Sequence, residues 1–354
     1  METNLVLKES GEKTVREIMS AISENTEEER RLSTGIPEID KAIGGGIKPS
    51  SLTAIAGKPG SGKTSLLLQV GSNMAASGMP VLLFETEITS TQAGSILLRQ
   101  ASYHDDSVQT ASTVDADNVN VDETNMSTVN HLADDLAAKY GDQFYIVSRS
   151  DWDHTVDDVL RISEQVIEKY QLSEIAVMID YIQNMLPSRF IRSKKNVTTK
   201  DVVDDVLAAL GKLRNDYDAT IIIASAIHRD FYTTTNVYPL QCLRDSSQLE
   251  CDADLILALQ LHNGTLSSEA EEMSKPVRNM DVNIIKQRFD APGLNAHCDF
   301  HARYGTFTSH KKNAVKKISK GNGRNSWFGS GLASDEYVDT IDNAPDNHIH
   351  DVLI

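Results

Sequence analysis

From Leu32 onward the chain alternates short apolar runs with longer stretches whose apolar residues recur at helical spacing. The runs are "SLTAIAG" (51–57), "PVLLFETE" (80–87), "FYIVS" (144–148), "IAVMID" (175–180), "TIIIASA" (220–226), "DLILALQL" (254–261) and "DVNIIKQ" (281–287). They are rich in β-branched residues and do not alternate strictly, which suits strands buried on both faces of a mainly parallel sheet. The pattern predicts an α/β fold, a mainly parallel central sheet flanked by helices. "AHCDFHARY" (296–304) differs, because it does alternate. His297, Asp299, His301 and Arg303 take one polar face and Ala296, Cys298, Phe300 and Ala302 the apolar one. We read a half-buried strand there in preference to a metal cluster.

The ends of the chain behave differently. Over residues 12–29, Val15, Ile18, Met19 and Ile22 have helical spacing before a charged run, "ENTEEERR", and predict one amphipathic helix. Residues 101–130 are polar with no sustained period, a surface excursion or short helices. After residue 310 the composition turns basic and then acidic, with too few apolar residues to fold alone, so 311–354 is expected to be a mostly disordered tail. The division is therefore 1–30, a folded core at 31–310, and the tail.

Composition narrows the class. Of 354 residues 40% are hydrophobic and 24% charged, an ordinary globular balance. Apolar runs fall far short of the ~20 residues that cross a bilayer, and the first residues carry no secretory pattern. A soluble cytoplasmic protein with no membrane association is expected. Three cysteines, Cys242, Cys251 and Cys298, form no CxxC pair, which suits reduced thiols. The net charge of -17 argues against coating nucleic acid with the whole surface and leaves room for a narrow basic channel. One basic island breaks the acidity: "SRFIRSKKN" (188–196) holds Arg189, Arg192, Lys194 and Lys195 and no acid.

Chemistry concentrates at "GKPGSGKT", residues 57–64, which fits G-x-x-x-x-G-K-[ST] between a strand and a helix. Gly57, Lys58, Pro59, Gly60, Ser61, Gly62, Lys63, Thr64 and Ser65 would wrap the phosphates of a nucleotide. Lys63 can reach the outer phosphates and Thr64 can ligate magnesium. ATP with Mg2+ is the implied pair. Asp180, at the tip of "IAVMID", supplies a second magnesium-side oxygen. For the group that orients water, "VLLFETE" offers Glu85 and Glu87, placed on one side of a strand by period two; the pattern leaves the choice between them open.

With "IDYIQNM" (179–185), "LRDSSQLECDADLIL" (243–257) and "IIKQRFDAPG" (284–293) in order after the phosphate loop, the chain resembles the RecA-like motor domain of DnaB-type replicative helicases. The resemblance runs from about Leu32 to Phe307. It implies Glu87 as the catalytic glutamate, Asp180 at the magnesium, and Lys286 and Arg288 reaching a neighbour's γ-phosphate. Arg244, in "LRDSS", falls where the family approaches DNA, and the island falls on a loop facing the ring's channel. The helix at 12–29 takes the place of the linker helix that docks on the next subunit. Two departures stand out. The family's phosphate-sensing glutamine falls on Ala226 and the asparagine two residues later on His228, leaving His228 or Arg229 as substitutes. Only about thirty residues precede the motor, where bacterial members carry a helical collar.

The resemblance implies an ATP-driven homo-hexamer translocating 5′ to 3′ on single-stranded DNA. Primase, a helicase loader and a single-strand-binding protein are candidate partners, in a bacterial cytoplasm or a host cytoplasm for a phage or plasmid protein. Two other readings are a RecA-fold ATPase resembling RadA or KaiC, acting in recombination or as a switch without unwinding, and a catalytically slow loader or structural ring subunit.

Overall fold

The structure is a computed structural model and describes residues 14–16, 19, 30–103, 123–140, 142–233, 237–244, 247–262, 269–288 and 294–310. The expected tail at 311–354 lies outside the described residues, as do most of the N-terminal segment and the acidic stretch 104–122. Of the predicted N-terminal helix, Thr14, Val15, Arg16 and Met19 are described; the last three are helical, with Val15 71% and Met19 55% exposed.

Each of the seven apolar runs forms a strand, and two more complete one sheet. They are β1 (Leu52–Gly57), β2 (Val81–Glu85), β3 (Phe144–Val147), β4 (Ala176–Asp180), β5 (Thr220–Ala226), β6 (Leu255–Leu261), β7 (Val277–Gln287), β8 (Asn295–His301) and β9 (Thr306–Ser309). The spatial order is β3-β2-β4-β5-β1-β6-β7-β8-β9. Strands β3 to β6 along this order pair in parallel, and β7, β8 and β9 continue the sheet antiparallel. Parallel strands need crossover helices, and those helices cover both faces, which is why the runs lack alternation.

On one face pack α1 (Pro37–Ala42), α2 (Lys63–Ala76), α3 (Ser90–Tyr103) and α4 (Glu123–Tyr140); on the other pack α5 (Val156–Tyr170), α7 (Thr199–Tyr217) and α8 (Ser247–Asp252). Two short helices, α6 (Arg189–Arg192) and α9 (Glu269–Ser274), stand between strands. Ile55 of β1 enters the first core, and Leu52, Ala54 and Ala56 the second. Local signals start the helices: Thr155 accepts the Asp158 N–H at the head of α5, and Thr198 and Asp201 form a reciprocal box at the head of α7, satisfying donors that the helix cannot. Within the polar stretch at 101–130, α3 runs to Tyr103, and α4, which begins at Glu123, is a helix of 18 residues rather than a short one. Strand β8 alternates buried and more open positions as expected as far as His301, beyond which Ala302, Arg303 and Tyr304 form a turn and not a continuation of the strand.

Two glutamines from the first helical layer reach β9. The Gln69 amide donates to the Phe307 carbonyl at 2.8 Å and accepts the Phe307 N–H at 2.8 Å, and Gln100 donates to the Gly305 carbonyl at 2.7 Å.

Candidate nucleotide-hydrolysis site

The central strand β1 ends in the phosphate loop. Its last residue, Gly57, pairs with Ala226 of β5 on one side and Leu259 of β6 on the other, while Glu85 pairs with Asp180 two strands away. The carboxyl ends of β1, β2, β4 and β5 thus form one rim, where open α/β sheets hold ligands. Glycine is required at two places in the loop. A side chain at Gly57 would place its Cβ 2.5 Å from Ser61 Oγ, and Gly62 has φ of 92° with the Phe307 ring 2.9 Å from where a Cβ would stand. Gly62 caps α2, so the loop delivers its backbone N–H groups to the head of a 14-residue helix, a natural anion site.

Lys63 Nζ donates to the carbonyls of Gly57 and Lys58, each at 3.0 Å. Burial lowers its pKa, while Asp180 and Glu87 pull it back up. Lys58 is paired with Glu269 of α9 at 2.8 Å. Asp180 is buried with one carboxylate oxygen lacking a protein partner. Burial pushes its pKa up to about 6, against the opposing pull of a Thr64 hydrogen bond and the Lys63 charge. Thr64 and Asp180 therefore present hard oxygen donors side by side, one orphaned, and these fit Mg2+.

The two glutamates separate. Strand β2 stops at Glu85, so Glu87 stands in the turn beyond it and the period-two placement on one strand face does not hold. Glu85 is fully buried, both oxygens are unpartnered, and burial together with Asp180 and Glu87 raises its pKa to about 10. It is a neutral acid at pH 7. Glu87 is exposed on the rim, and its charge is felt by Lys63 and Asp180. Glu87 is thus the glutamate with access to water.

Lys286 and Arg288 lie elsewhere. Gln287 pairs with Leu255, whose parallel partner on β1 is Thr53, whereas the loop end of β1, Gly57, is level with Leu259. Four residues of strand, about 13 Å, separate the pair from the loop of the same chain. Arg288 stands just past β7, yet both side chains converge on the end of α8: Lys286 donates to the Glu250 and Cys251 carbonyls at 2.6 and 2.9 Å, and Arg288 to Cys251 at 2.6 Å. Arg288 also pairs with Asp254 at 3.0 Å, which binds Arg214 at 3.1 Å and accepts the Leu52 N–H at 2.9 Å. Asp254 is thus a buried hub of the fold.

At the sensor position, Ala226 lies beside Gly57. His228 is exposed and faces Asp230 at 3.1 Å, capping the turn Arg229–Phe231, and Arg229 is exposed as well. One residue escaped the sequence reading. Gln183 accepts the Ala226 N–H at 3.1 Å and donates to Ser225 Oγ at 2.9 Å and to the Arg244 carbonyl at 3.2 Å. The Arg244 N–H in turn donates to the Ala226 carbonyl at 3.1 Å. The candidate DNA loop is therefore bonded to the strand end beside the phosphate loop.

The island leaves the carboxyl end of β4. It is a short helix followed by a turn, where a loop was expected: Ser188 caps α6, Ile191 is buried, and Arg189, Arg192, Lys194 and Lys195 are exposed. Phe190 is 72% exposed with Lys194 Nζ 4.9 Å from its ring centre. Arg189 and Arg192 share a small cleft with Asp153, Asp157 and Asp158, so acids from α5 offset part of the island's charge.

A phosphate loop on the central strand, a helix opening behind it and acids on the neighbouring strand tips define a RecA-like P-loop nucleotide hydrolase. Within that class the chain belongs to the family of the DnaB-like helicase C terminal domain, whose model matches residues 31–309. The replicative DNA helicase DnaB of Mycoplasma genitalium is 24% identical over 284 residues, covering 78% of this chain and 56% of that protein. This chain therefore spans little more than half the length of that relative. The DNA repair protein RadA of Mycobacterium tuberculosis is 47% identical over 70 residues, 20% of this chain. Among solved structures, a DnaB-like replicative helicase studied with primase matches with a TM-score of 0.65 at 21% identity, covering 85% of this chain and 68% of that one. A separately solved ATPase domain matches at 0.64 and 21%, covering 83% and 96%. No helix among the described residues is long and apolar enough to cross a membrane.

Proposed function

We propose that the chain is the motor of a ring helicase, a homo-hexamer that hydrolyses ATP to translocate 5′ to 3′ on single-stranded DNA in replication. The observation that carries this reading is the division of the catalytic groups between opposite ends of the strands in one sheet. Lys63, Thr64, Asp180 and Glu87 surround the phosphate loop, while Lys286 and Arg288 sit about 13 Å down the strands, where they can serve the loop of an adjacent subunit. Lys63 draws charge from the outer phosphates, and Glu87 orients and deprotonates water. Mg2+, held by Thr64 and Asp180, would offset charge on the phosphate oxygens. Arg288 completes the neighbour's site as a finger in trans, with Lys286 beside it. Arg189, Arg192, Lys194, Lys195 and Arg244 line the DNA path, and His228 or Arg229 takes the sensor role that Ala226 cannot. The exposed apolar residues Val15 and Met19 suit a helix that docks on the next subunit. Primase, a loader and a single-strand-binding protein fit as partners of such a ring in a bacterial or host cytoplasm.

The local similarity to RadA favours a second reading, a recombination ATPase that does not unwind. Strand displacement, with ATP hydrolysis measured with and without single-stranded DNA, separates the two. The helicase reading expects DNA-stimulated hydrolysis and unwinding, both reduced about 100-fold or more in Lys63→Ala and Glu87→Gln. Stimulated hydrolysis without unwinding would favour the recombination reading. Mixing Glu87→Gln with Arg288→Ala subunits should recover part of the hydrolysis, because some interfaces join an intact Glu87 to an intact Arg288. No recovery in rings shown to be mixed would exclude the shared site.

A further inference from the structure

Outside the nucleotide site, three adjacent strands bring two imidazoles onto one carboxylate. His262 follows the end of β6, Asp281 lies in the middle of β7, and His297 lies on β8 directly opposite Asp281. Asp281 is also paired with Gln260, two residues before His262, so His262 is its diagonal neighbour on the same face. His262 Nδ1 is 2.9 Å from both carboxylate oxygens, and His297 Nδ1 is 2.6 Å from one of them. The two rings meet edge to face with centres 4.9 Å apart. One ligand atom from each of the three residues lies within 4.8 Å of the other two.

We propose that His262, Asp281 and His297 form a binding site for a divalent transition-metal ion of the Zn2+ class. Two imidazole nitrogens and a carboxylate make a three-ligand set of the kind that leaves a position for water. Asp281 is 17% and His297 53% exposed, so that position opens to solvent. Tetrahedral ligands about 2.0–2.1 Å from zinc are about 3.3 Å from one another. Each nitrogen therefore needs to draw back from the carboxylate by only about half an ångström to admit the ion. The strands hold them close, since Met280 and Val282 on either side of Asp281, and Ala296 and Cys298 on either side of His297, are buried in the core on the opposite face. Nitrogen donors favour late first-row metals over the Mg2+ expected at Thr64 and Asp180. A neutral imidazole that ligates through Nδ1 carries its proton on Nε2, so the hydrogen bonds to Asp281 are exchanged for metal bonds with no net proton loss from a neutral ring.

The probes are Co2+, read by its visible absorption, and Zn2+ as competitor. They are used on the full chain with His348→Ala and His350→Ala, so that the C-terminal His-Ile-His of the sequence does not compete. One Co2+ per chain should bind and be displaced by one Zn2+. His262→Ala, His297→Ala and Asp281→Asn should each weaken binding at least tenfold. His310→Ala, which removes the neighbouring pair with Asp299, and Thr64→Ala should leave it unchanged. Zn2+ should raise the thermal midpoint of the parent and not that of His297→Ala, a readout that separates lost binding from lost folding. Co2+ binding that survives the His262→Ala/His297→Ala double change, or that is lost with Thr64→Ala instead, would overturn the proposal. So would the absence of any saturable site, which would leave the cluster as a cross-strand ion pair.

Discussion

Glu85 and Glu87 are two residues apart and chemically opposite. Glu85 is sealed beneath the rim with no partner for either oxygen, so it folds as the neutral acid, its pKa raised from 4.5 to about 10 by burial and by Asp180 and Glu87. The folded chain therefore holds a proton that the unfolded chain gives up above its ordinary range. This contribution to stability is fully present below the unfolded pKa and declines as pH rises toward the folded one. Glutamine resembles the neutral acid and has no charge to regain on unfolding. Glu85→Gln should accordingly raise the melting temperature more at pH 8.5 than at pH 5, as thermal melts across that range would register. A shift of equal size at both would mean that Glu85 is ionised in the fold. The apolar pattern did not separate the two glutamates, which only the family resemblance did, because the choice depends on where β2 stops, and that is set by the neighbouring strand. Asp180 and the phosphate loop were legible, since a short glycine-rich turn between an apolar strand and a helix carries its chemistry locally.

Between elements, a bonded link runs from the strand end beside the phosphate loop to the segment of Arg244. Gln183, in the turn Ile182–Asn184 after β4, is bonded to the end of β5 and to the Arg244 carbonyl, so the loop and the strand beside Gly57 cannot shift independently while those bonds hold. Gln183→Ala should cut the stimulation of hydrolysis by single-stranded DNA about tenfold while leaving the DNA-free rate within about twofold, which is a factor expected for the loss of one to two hydrogen bonds. Equal loss in both conditions would place Gln183 in the hydrolytic site itself. Seven strands were legible because burial on both faces writes a continuous apolar run, and β8 because it alternates; β9, a four-residue edge strand, left no such mark. Helix α4 was not legible either, since its stretch shows no sustained apolar period. Register was also hidden. No spacing along the chain announces that His262, Asp281 and His297 share one face, or that Lys286 and Arg288 meet over α8, because these neighbours are made by pairing between strands.

Across the whole molecule the balance of charge is -17, and any phosphate bound at the island is bound against that field and against the acids of α5. If Arg189, Arg192, Lys194 and Lys195 each neutralise one phosphate, the single-strand binding constant should fall with salt at a log–log slope of about -3. Replacing all four with alanine should remove most of that slope. Phe190→Ala should weaken binding by about 1–3 kcal/mol, as loss of a base-stacking ring does, without altering the slope. Fluorescence titrations at several salt concentrations measure both, and an unchanged slope in the quadruple variant would make the island an ordinary solvated surface. The far end of the sheet has a different consequence. Strand β9 is an outermost strand, and such a strand offers its free backbone groups to any other chain. At Gly305 and Phe307 those groups are already taken by the amides of Gln100 and Gln69. Two side chains thus fill the rungs that a further strand would use, and copies of the chain crowded together meet a sheet that is closed to zippering at those positions.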